Sequence, residues 1–562
     1  ISGEDLPIRR YTTTQAFVTG GILDQAGEVL EVVSLPQSFT PTGGSLKVEL
    51  SPNLAGSVFS GLQIMEDYPD DFIEVLLSRL LANLSAYQLS REANFAAPDL
   101  NERLQQSIRR DLDRLLEKKQ ADGGWGWISG EPSDFFLSAY GLWILDQAGT
   151  AGFVIEPFHL LDANRFVTAS LYTPDMVQET SKLDQLAFAY FVLNQHGRQN
   201  PVPPELYRLR ERLNPWGQAF LAMALNSSGD SQSAETILAD LRGSAVRSAS
   251  GAFWQEETDS LFRFSNTYAS TAMVLMALLE LDPASPLVGD AVRFLTLQRG
   301  SRGWLNSYGS GWVLAALSRA VRATGELQGN YSFSAALNGA TIASGEAGGA
   351  QSFNTVRADV DVTQLPSNRN ALLIQRTAGS GRLYYRAMLE VGQPVESVKA
   401  MDGGIVLTRE YYLEGADCGT DACPPVVRAN RSVSNPVVQV RLSITVPQDL
   451  TYLVVEDYIP AGAEIVNTAL LTTQQGGAKG QPLFVDQNGL GRGWGWWFFA
   501  EPRIFADHIR WVGAYVPAGT YVLTYRLMPL QAGEFRVLPA RAYAYYFPDI
   551  QGRTAGSVFT IE

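Results

Sequence analysis

Apolar residues recur at Ile73, Leu76, Leu77, Leu80 and Leu84, the spacing of one helix face, and Leu104, Ile108, Leu112, Leu115 and Leu116 repeat the pattern. TYASTAMVLMALLE (267–280) is apolar almost all round, which predicts an inner helix screened from water by its neighbours. FFLSAYGLWILDQ (135–147) follows two capping residues, Ser133 and Asp134, and Gly149 is placed to end it. Outside this helical region the period changes to two. SLKVEL near the start, and YSFSAALNGATIAS and VRADVDVTQL beyond residue 325, alternate as strands do. So do VVQVRLSITV, TYLVVEDYI, GTYVLTYRLMPL and ARAYAYYF, separated by turns such as PAGA and PAGT. The pattern therefore divides the chain into 1–62 (β), 63–324 (helical), 325–400 (β) and 401–562 (β). β segments on either side of a helical block suggest one sandwich interrupted by an insertion.

Within the helical block a motif repeats. KKQADGGWGW followed by FFLSAYGLWIL is echoed by LQRGSRGWLNSYGSGWVLAAL: a helix, a glutamine, a Gly-Trp turn and a second, apolar helix. Stacked hairpins of this kind predict an α/α toroid, with inner helices ringed by outer ones. The Gly-Trp turns are expected to pack the hairpins rather than to hold a ligand.

Composition narrows the function. At 562 residues the chain exceeds one core, and 46% apolar with 18% charged residues describes folded domains. A formal charge of −15, from 43 basic and 58 acidic residues, argues against nucleic acid or anionic lipid as the main partner. No leader or membrane-spanning run is seen. The chain starts at Ile1 without an initiator Met, which is read as a processed or excised piece. Cys418 and Cys423, in ADCGTDACPP, are expected to close a small loop disulfide, which suits an extracytoplasmic setting. They have no neighbouring His with which to build a zinc site, and His159, His196 and His508 are far apart in sequence.

Candidate chemistry concentrates in EDYPDDFIEVLLSRLLANL (66–84). Asp67, Asp70 and Asp71 fall at i, i+3 and i+4, so two or three could share a helix face, with Glu74 adding a fourth carboxylate. Such a group could hold Mg²⁺ on a diphosphate, as in a toroidal terpene cyclase. Acids in a first helical turn also serve structure, at about 0.3–1 kcal/mol each, by meeting free amides and the helix dipole. Acid–base catalysis needs a carboxyl pair with separated pKa values, and no such pair is evident. GRGWGWWFFA (491–500) has the aromatic content of a binding hot spot, but its glycines favour a hairpin with rings packed inside the last sandwich.

The same stretch resembles the thioester segment of bacterial alpha-2-macroglobulins and complement-like thioester proteins, Tyr-Pro-x-Gly-Cys-x-Glu-Gln followed by a Ser-Arg-Leu-Leu helix. Tyr68, Pro69, Glu74, Ser78, Arg79, Leu80 and Leu81 fall on that pattern. DGGWGWISGEPSDFFLSAYGLWILDQAGTAGF, RGWLNSYGSGWVLAAL, VVEDYIPAGAEIVN and the AGEF…PARAYAYYFPDIQGR stretch resemble further parts of the family, in its order. The likeness covers essentially the whole chain. It implies a mixed α and β multidomain fold: a thioester-domain-like toroid inserted in a CUB-like β-sandwich, then a receptor-binding-like macroglobulin β-sandwich.

The departures decide the chemistry that the resemblance implies. Asp71, Phe72 and Val75 stand where the family has Gly, the nucleophilic Cys and Gln. A benzene ring and an isopropyl group cannot form a thioester, and the two cysteines belong to another domain. Phe72 and Val75 are expected to pack into the pocket that shelters the bond in relatives, at about 1.5–3 kcal/mol per buried side chain. The resemblance thus implies a protease inhibitor or binding protein rather than an enzyme, with no cofactor and no metal. Its partners would be proteases, met through a longer parent, or envelope proteins. Its place would be extracytoplasmic, with peripheral membrane attachment open to a missing N-terminal part.

Overall fold

A computed structural model describes residues 12–68, 72–92, 98–128, 130–195, 200–256, 266–301, 303–324, 329–348, 355–366, 369–414, 426–430, 437–466 and 493–562. Asp70, Asp71, His196, Cys418 and Cys423 lie outside the described residues.

The first β unit draws its strands from both sides of the helices. Strands β1 (Thr12–Leu23), β2 (Gly27–Val33) and β3 (Gly44–Ser51) precede the helical block. A short hairpin within it forms β4 (Val246–Ser248) and β5 (Gly251–Phe253). After it come β6 (Tyr331–Leu337), β7 (Ala340–Ala347), β8 (Val356–Asp361), β9 (Asn370–Arg376) and β10 (Leu383–Pro394). They make two four-stranded sheets, β1-β10-β3-β8 and β2-β9-β6-β7, with antiparallel neighbours. Period-two burial places Leu46, Val48, Leu50, Leu372, Ile374 and Val391 in one core between them.

Helices begin at Leu54, earlier than the periodicity predicts, because Asn53 caps α1 (Leu54–Gly61) by accepting from Gly56 N at 3.0 Å. The others are α2 (Gln63–Asp67), α3 (Ile73–Glu92), α4 (Pro98–Glu117), α5 (Phe135–Thr150), α6 (Pro157–Ala169), α7 (Thr180–Leu193), α8 (Pro204–Arg208), α9 (Pro215–Ser227), α10 (Ser231–Gly243), α11 (Thr267–Leu281), α12 (Pro286–Leu297) and α13 (Ser307–Thr324). Asp134 caps α5 through Leu137 N, as predicted, but the helix runs past Gly149. Its end is set by Gly152, which has φ 93° and lets Phe153 N return to Ala148 O. Helix α3 packs on α5 and α13, α7 on α5 and α9, and α11 on α9 and α13. Helices α4, α6, α10 and α12 lie against α3, α5, α9 and α11 respectively. Rings of Tyr140, Trp143, Phe188, Phe220 and Trp312 fill the centre, with Trp143 and Trp312 stacked at 5.0 Å.

The Gly-Trp turns prove to be a repeated hydrogen-bonding device. The Trp125 indole donates to Leu115 O at the end of α4, and the Trp304 indole to Leu295 O in α12. Their backbone N–H groups meet Ser138 Oγ on α5 and Ser310 Oγ on α13. Trp254 does the same between α10 and α11, with Leu241 O and Thr271 Oγ1. This further copy escapes sequence comparison because its turn reads GAFW instead of Gly-Trp, while the bonds need only the indole and a hydroxyl.

Three more sheets build the C-terminal unit, and two of them carry its longest strands. In one, the strand Leu450–Tyr458 lies between His508–Val516 and Arg541–Ala544. In the other, Val438–Val446 lies between Val406–Leu413 and Gly519–Pro529. Asp457, buried in the sandwich, accepts from Arg409 at 2.7 Å and from Tyr525 at 2.8 Å. The expectation for 491–500 needs correction. Trp496–Phe498 form a 3-10 turn, and Phe499 is buried, but Trp494 and Trp497 are 49% and 46% exposed. Gly493 and Gly495 take positive φ to pass close to the strand Gly519–Pro529. That turn leaves Trp494 and Trp497 packed edge-to-face on each other, 5.1 Å apart.

Trp254→Phe keeps the ring and deletes the indole donor, leaving Leu241 O only the longer bond from the Ser244 hydroxyl at 3.3 Å. Denaturant unfolding is expected to show a loss of about 1–3 kcal/mol, with similar losses for Trp125→Phe and Trp304→Phe.

Candidate functional site

The acid-rich stretch does not form one helix. Tyr68 is extended, with φ −75° and ψ 132°, because the following Pro69 excludes the α region from the residue before it. Asp67 therefore closes the short α2, and Glu74 opens α3 on a separate helix. The shared face expected for Asp67 is absent, and its side chain is exposed. Among the described residues no group of three or more His, Cys, Asp or Glu is arranged to hold a metal.

Phe72 and Val75 are buried, as predicted, at 1% and 0% exposure. Ile73 N donates to Trp127 O at 3.0 Å, so the first Gly-Trp turn fixes the start of α3. Around Phe72 stand three rings of the C-terminal sandwich: Tyr545 at 5.0 Å, Tyr452 at 5.5 Å and Tyr546 at 6.0 Å. Trp127 closes over Tyr452 at 4.6 Å. Tyr545 and Tyr546 lie in the turn joining Arg541–Ala544 to Phe547–Arg553. Tyr452 has a left-handed backbone, φ 55°, and its carbonyl accepts from Tyr545 N. Such a backbone costs about 1–2 kcal/mol outside glycine, so packing and hydrogen bonds must hold it there.

Glu74 sits beneath this cluster, fully buried. Its Oε2 accepts from Ser307 Oγ at 2.6 Å and from the Tyr546 hydroxyl at 2.7 Å, and its Oε1 accepts from Ser78. One carboxyl thus ties α3, the first residue of α13 and a hairpin 472 residues away. A second strand of bonds runs beside it. Asn306 caps α13 through Gly309 N and donates to Tyr546 O at 3.0 Å. Asn266 caps α11 through Tyr268 N and Ala269 N, and donates to Asn306. Burial raises the Glu74 pKa above its ordinary value, offset in part by the Ser307, Ser78 and Tyr546 hydroxyls. Burial and the nearby Glu74 push the Tyr546 phenol well up, so it remains a donor.

Chemically this is a latch. No thiol or carboxamide adjoins Glu74 in sequence, and its oxygens are sealed under protein and engaged by three hydroxyls. Sequence reasoning found Phe72, Glu74 and Val75 but missed Ser307, Asn306, Tyr452 and Tyr546. The stretches holding Ser307, Asn306 and Tyr546 were legible as motifs, yet nothing local pairs them with Glu74.

A β unit split by helices is thus followed by a sandwich that sets a hairpin against those helices. Residues 404–549 match the MG10 domain of bacterial alpha-2-macroglobulin. Over 99% of its length the chain is 21% identical to an alpha-2-macroglobulin homolog of Nostoc sp. (strain PCC 7120 / SAG 25.82 / UTEX 2576), and covers 29% of that protein. It is 26% identical over 147 residues to alpha-2-macroglobulin of Thermotoga maritima, which is 26% of this chain and 8% of that one. A crystal structure of native Escherichia coli alpha-2-macroglobulin from domain MG7 to the C-terminus superposes with a TM-score of 0.70 at 18% identity, over 98% of this chain and 82% of that one. Salmonella alpha-2-macroglobulin reacted with methylamine gives the same score and identity over 100% of this chain and 35% of its own. The chain is therefore similar, along its length, to the C-terminal part of bacterial alpha-2-macroglobulins. It spans less than a third of the curated relatives it matches. None of these findings supports the terpene-cyclase alternative.

Phe72→Ala is expected to lose about 3–5 kcal/mol in denaturant unfolding. The folded Glu74 holds its proton more tightly than the unfolded one, so its contribution is full in acid and fades as pH rises through the raised pKa. Glu74→Gln imitates the protonated form. Thermal melts are expected to show it gaining on the wild type as pH rises above the ordinary carboxylate range.

Proposed function

We propose that this chain works within a longer bacterial macroglobulin-like protein that hinders proteases without covalent capture, by steric obstruction or protein docking. In this reading 63–324 is an α/α toroid of the thioester-domain type. It is set in a CUB-like sandwich formed by 1–62 and 325–400, and 401–562 is a receptor-binding-like sandwich. Phe72, Glu74 and Val75 occupy the degenerate thioester positions. The cyclic packing of α3, α5, α7, α9, α11 and α13 supports the toroid, and the mixed strand origin of the first two sheets supports the insertion.

The observation that carries the functional reading is the corner itself. Where a covalent trap would need a thiol, Phe72 packs under tyrosines, and Glu74 joins the toroid to the last sandwich by hydrogen bonds alone. Domains joined in this way can separate without breaking a covalent bond. The site of action in this reading is extracytoplasmic, and among the described residues no helix is long and apolar enough to cross a membrane.

Incubation of the whole protein with an endopeptidase is expected to change its mobility on native gels and to reduce cleavage of large substrates. Denaturing gels should show no protein–protease adduct, and mass spectrometry no added mass after methylamine treatment. A covalent adduct or amine incorporation overturns the non-covalent mechanism. The absence of any native-gel shift or protection overturns the inhibitor reading.

A further inference from the structure

The junction between the first β unit and the helical block leaves a half-open cavity with about 30 Å³ of room for water-sized occupants, lined in part by Glu49, Ser57, Ser60, Arg299 and Arg386. Gly20, Glu49 and Arg386 are cross-strand neighbours on β1, β3 and β10, and Arg357 on β8 is opposite Glu49. From the helical side Arg299, just after α12, donates to Ser60 Oγ at 2.8 Å and Ser60 O at 2.9 Å. Arg386 donates to Gly300 O at 3.0 Å.

The charges in this cavity do not balance. Glu49 gives Oε1 to Arg357 Nε at 3.2 Å. Its Oε2 lies 3.8 Å from Arg299 and 3.9 Å from Arg386, too far for a hydrogen bond to either. Glu390, further along β10, is engaged by Lys47. Among the groups lining the pocket, two guanidiniums, Arg299 and Arg386, thus face one carboxylate, with Glu390 a further counter-charge to Arg386. The Nε groups of Arg299 and Arg386 are buried without a hydrogen-bond partner, as is Glu49 Oε2. Arg299 is 8% exposed. Burial and the neighbouring Arg386 lower its pKa to about 10, the direction taken by a cation short of counter-charge.

We propose that this cavity is a binding site for a small monatomic anion of the halide class, held by the Nε groups of Arg299 and Arg386. A space of about 30 Å³ exceeds the roughly 10–15 Å³ that one water needs, which admits such an ion. Net positive charge on largely buried arginine side chains favours an anion over a neutral occupant. Glu49 Oε2 opposes the ion from one side, and the arginines outnumber it. The anion would tie the sheet to the helices at the point where β3 hands the chain to α1.

The test pairs crystallography with solution melts of the 562-residue chain. Bromide-soaked crystals are expected to show an anomalous peak between Arg299 and Arg386. Thermal melts in about 200 mM sodium chloride should lie about 1–3 °C above melts in sodium gluconate of equal ionic strength. Arg386→Gln is expected to abolish that difference. Density for water alone, a peak without any chloride-dependent shift (binding at crystal concentration only), or a shift unchanged in Arg386→Gln overturns the proposal. If Arg386→Gln does not fold, the wild-type anomalous map and melts decide it.

Discussion

A carboxyl group taken out of water needs donors for its oxygens, and the whole assembly is arranged around supplying them to Glu74. Ser78 comes from its own helix, Ser307 from the start of α13, and Tyr546 from the far sandwich. Each donor is useful only if its element is in register with the others. Breaking one leaves a buried polar group unpaired, at about 1–3 kcal/mol. The carboxyl therefore acts less as a chemical reagent than as a test of domain alignment. Asn306 repeats the logic with a neutral amide, since the side chain that caps α13 also reaches Tyr546 O.

Aromatic packing completes this junction. Phe72 gives the sandwich tyrosines an apolar surface, while Trp127, whose carbonyl receives Ile73 N, covers Tyr452. The left-handed backbone at Tyr452 is held by contacts to both units. Such a junction is buried and directional, built of packed rings and hydrogen bonds.

Elsewhere the fold relies on one local device used repeatedly. Trp125, Trp254 and Trp304 each join the last turns of one helix to the start of another by an indole bond and a hydroxyl bond. This meets carbonyls at helix ends that water cannot reach. It also keeps the inner helix starts aligned, so that Asn266 and Asn306 can bond to each other and, through Asn306, to the sandwich hairpin.

The chain by itself determined the order of helical and strand regions, the burial of Phe72 and Val75 and the lack of a thiol and a carboxamide at those two positions. Each of these follows from side-chain identity and periodicity, which are local. It also placed the Asp134 cap and the inner character of α11. It misplaced the end of α5, because left-handed geometry at Gly152 decides that and Gly149 is an equally good local candidate. It also put Asp67 on the wrong helix, although Pro69 carried the signal. Only the tertiary structure decided that Glu74 answers to Tyr546, that Trp254 belongs with the other turn tryptophans, and that Trp494 and Trp497 face solvent. The partners in those contacts are set by the packing of whole domains, and a hydrogen bond across 472 residues leaves no mark on the residues between.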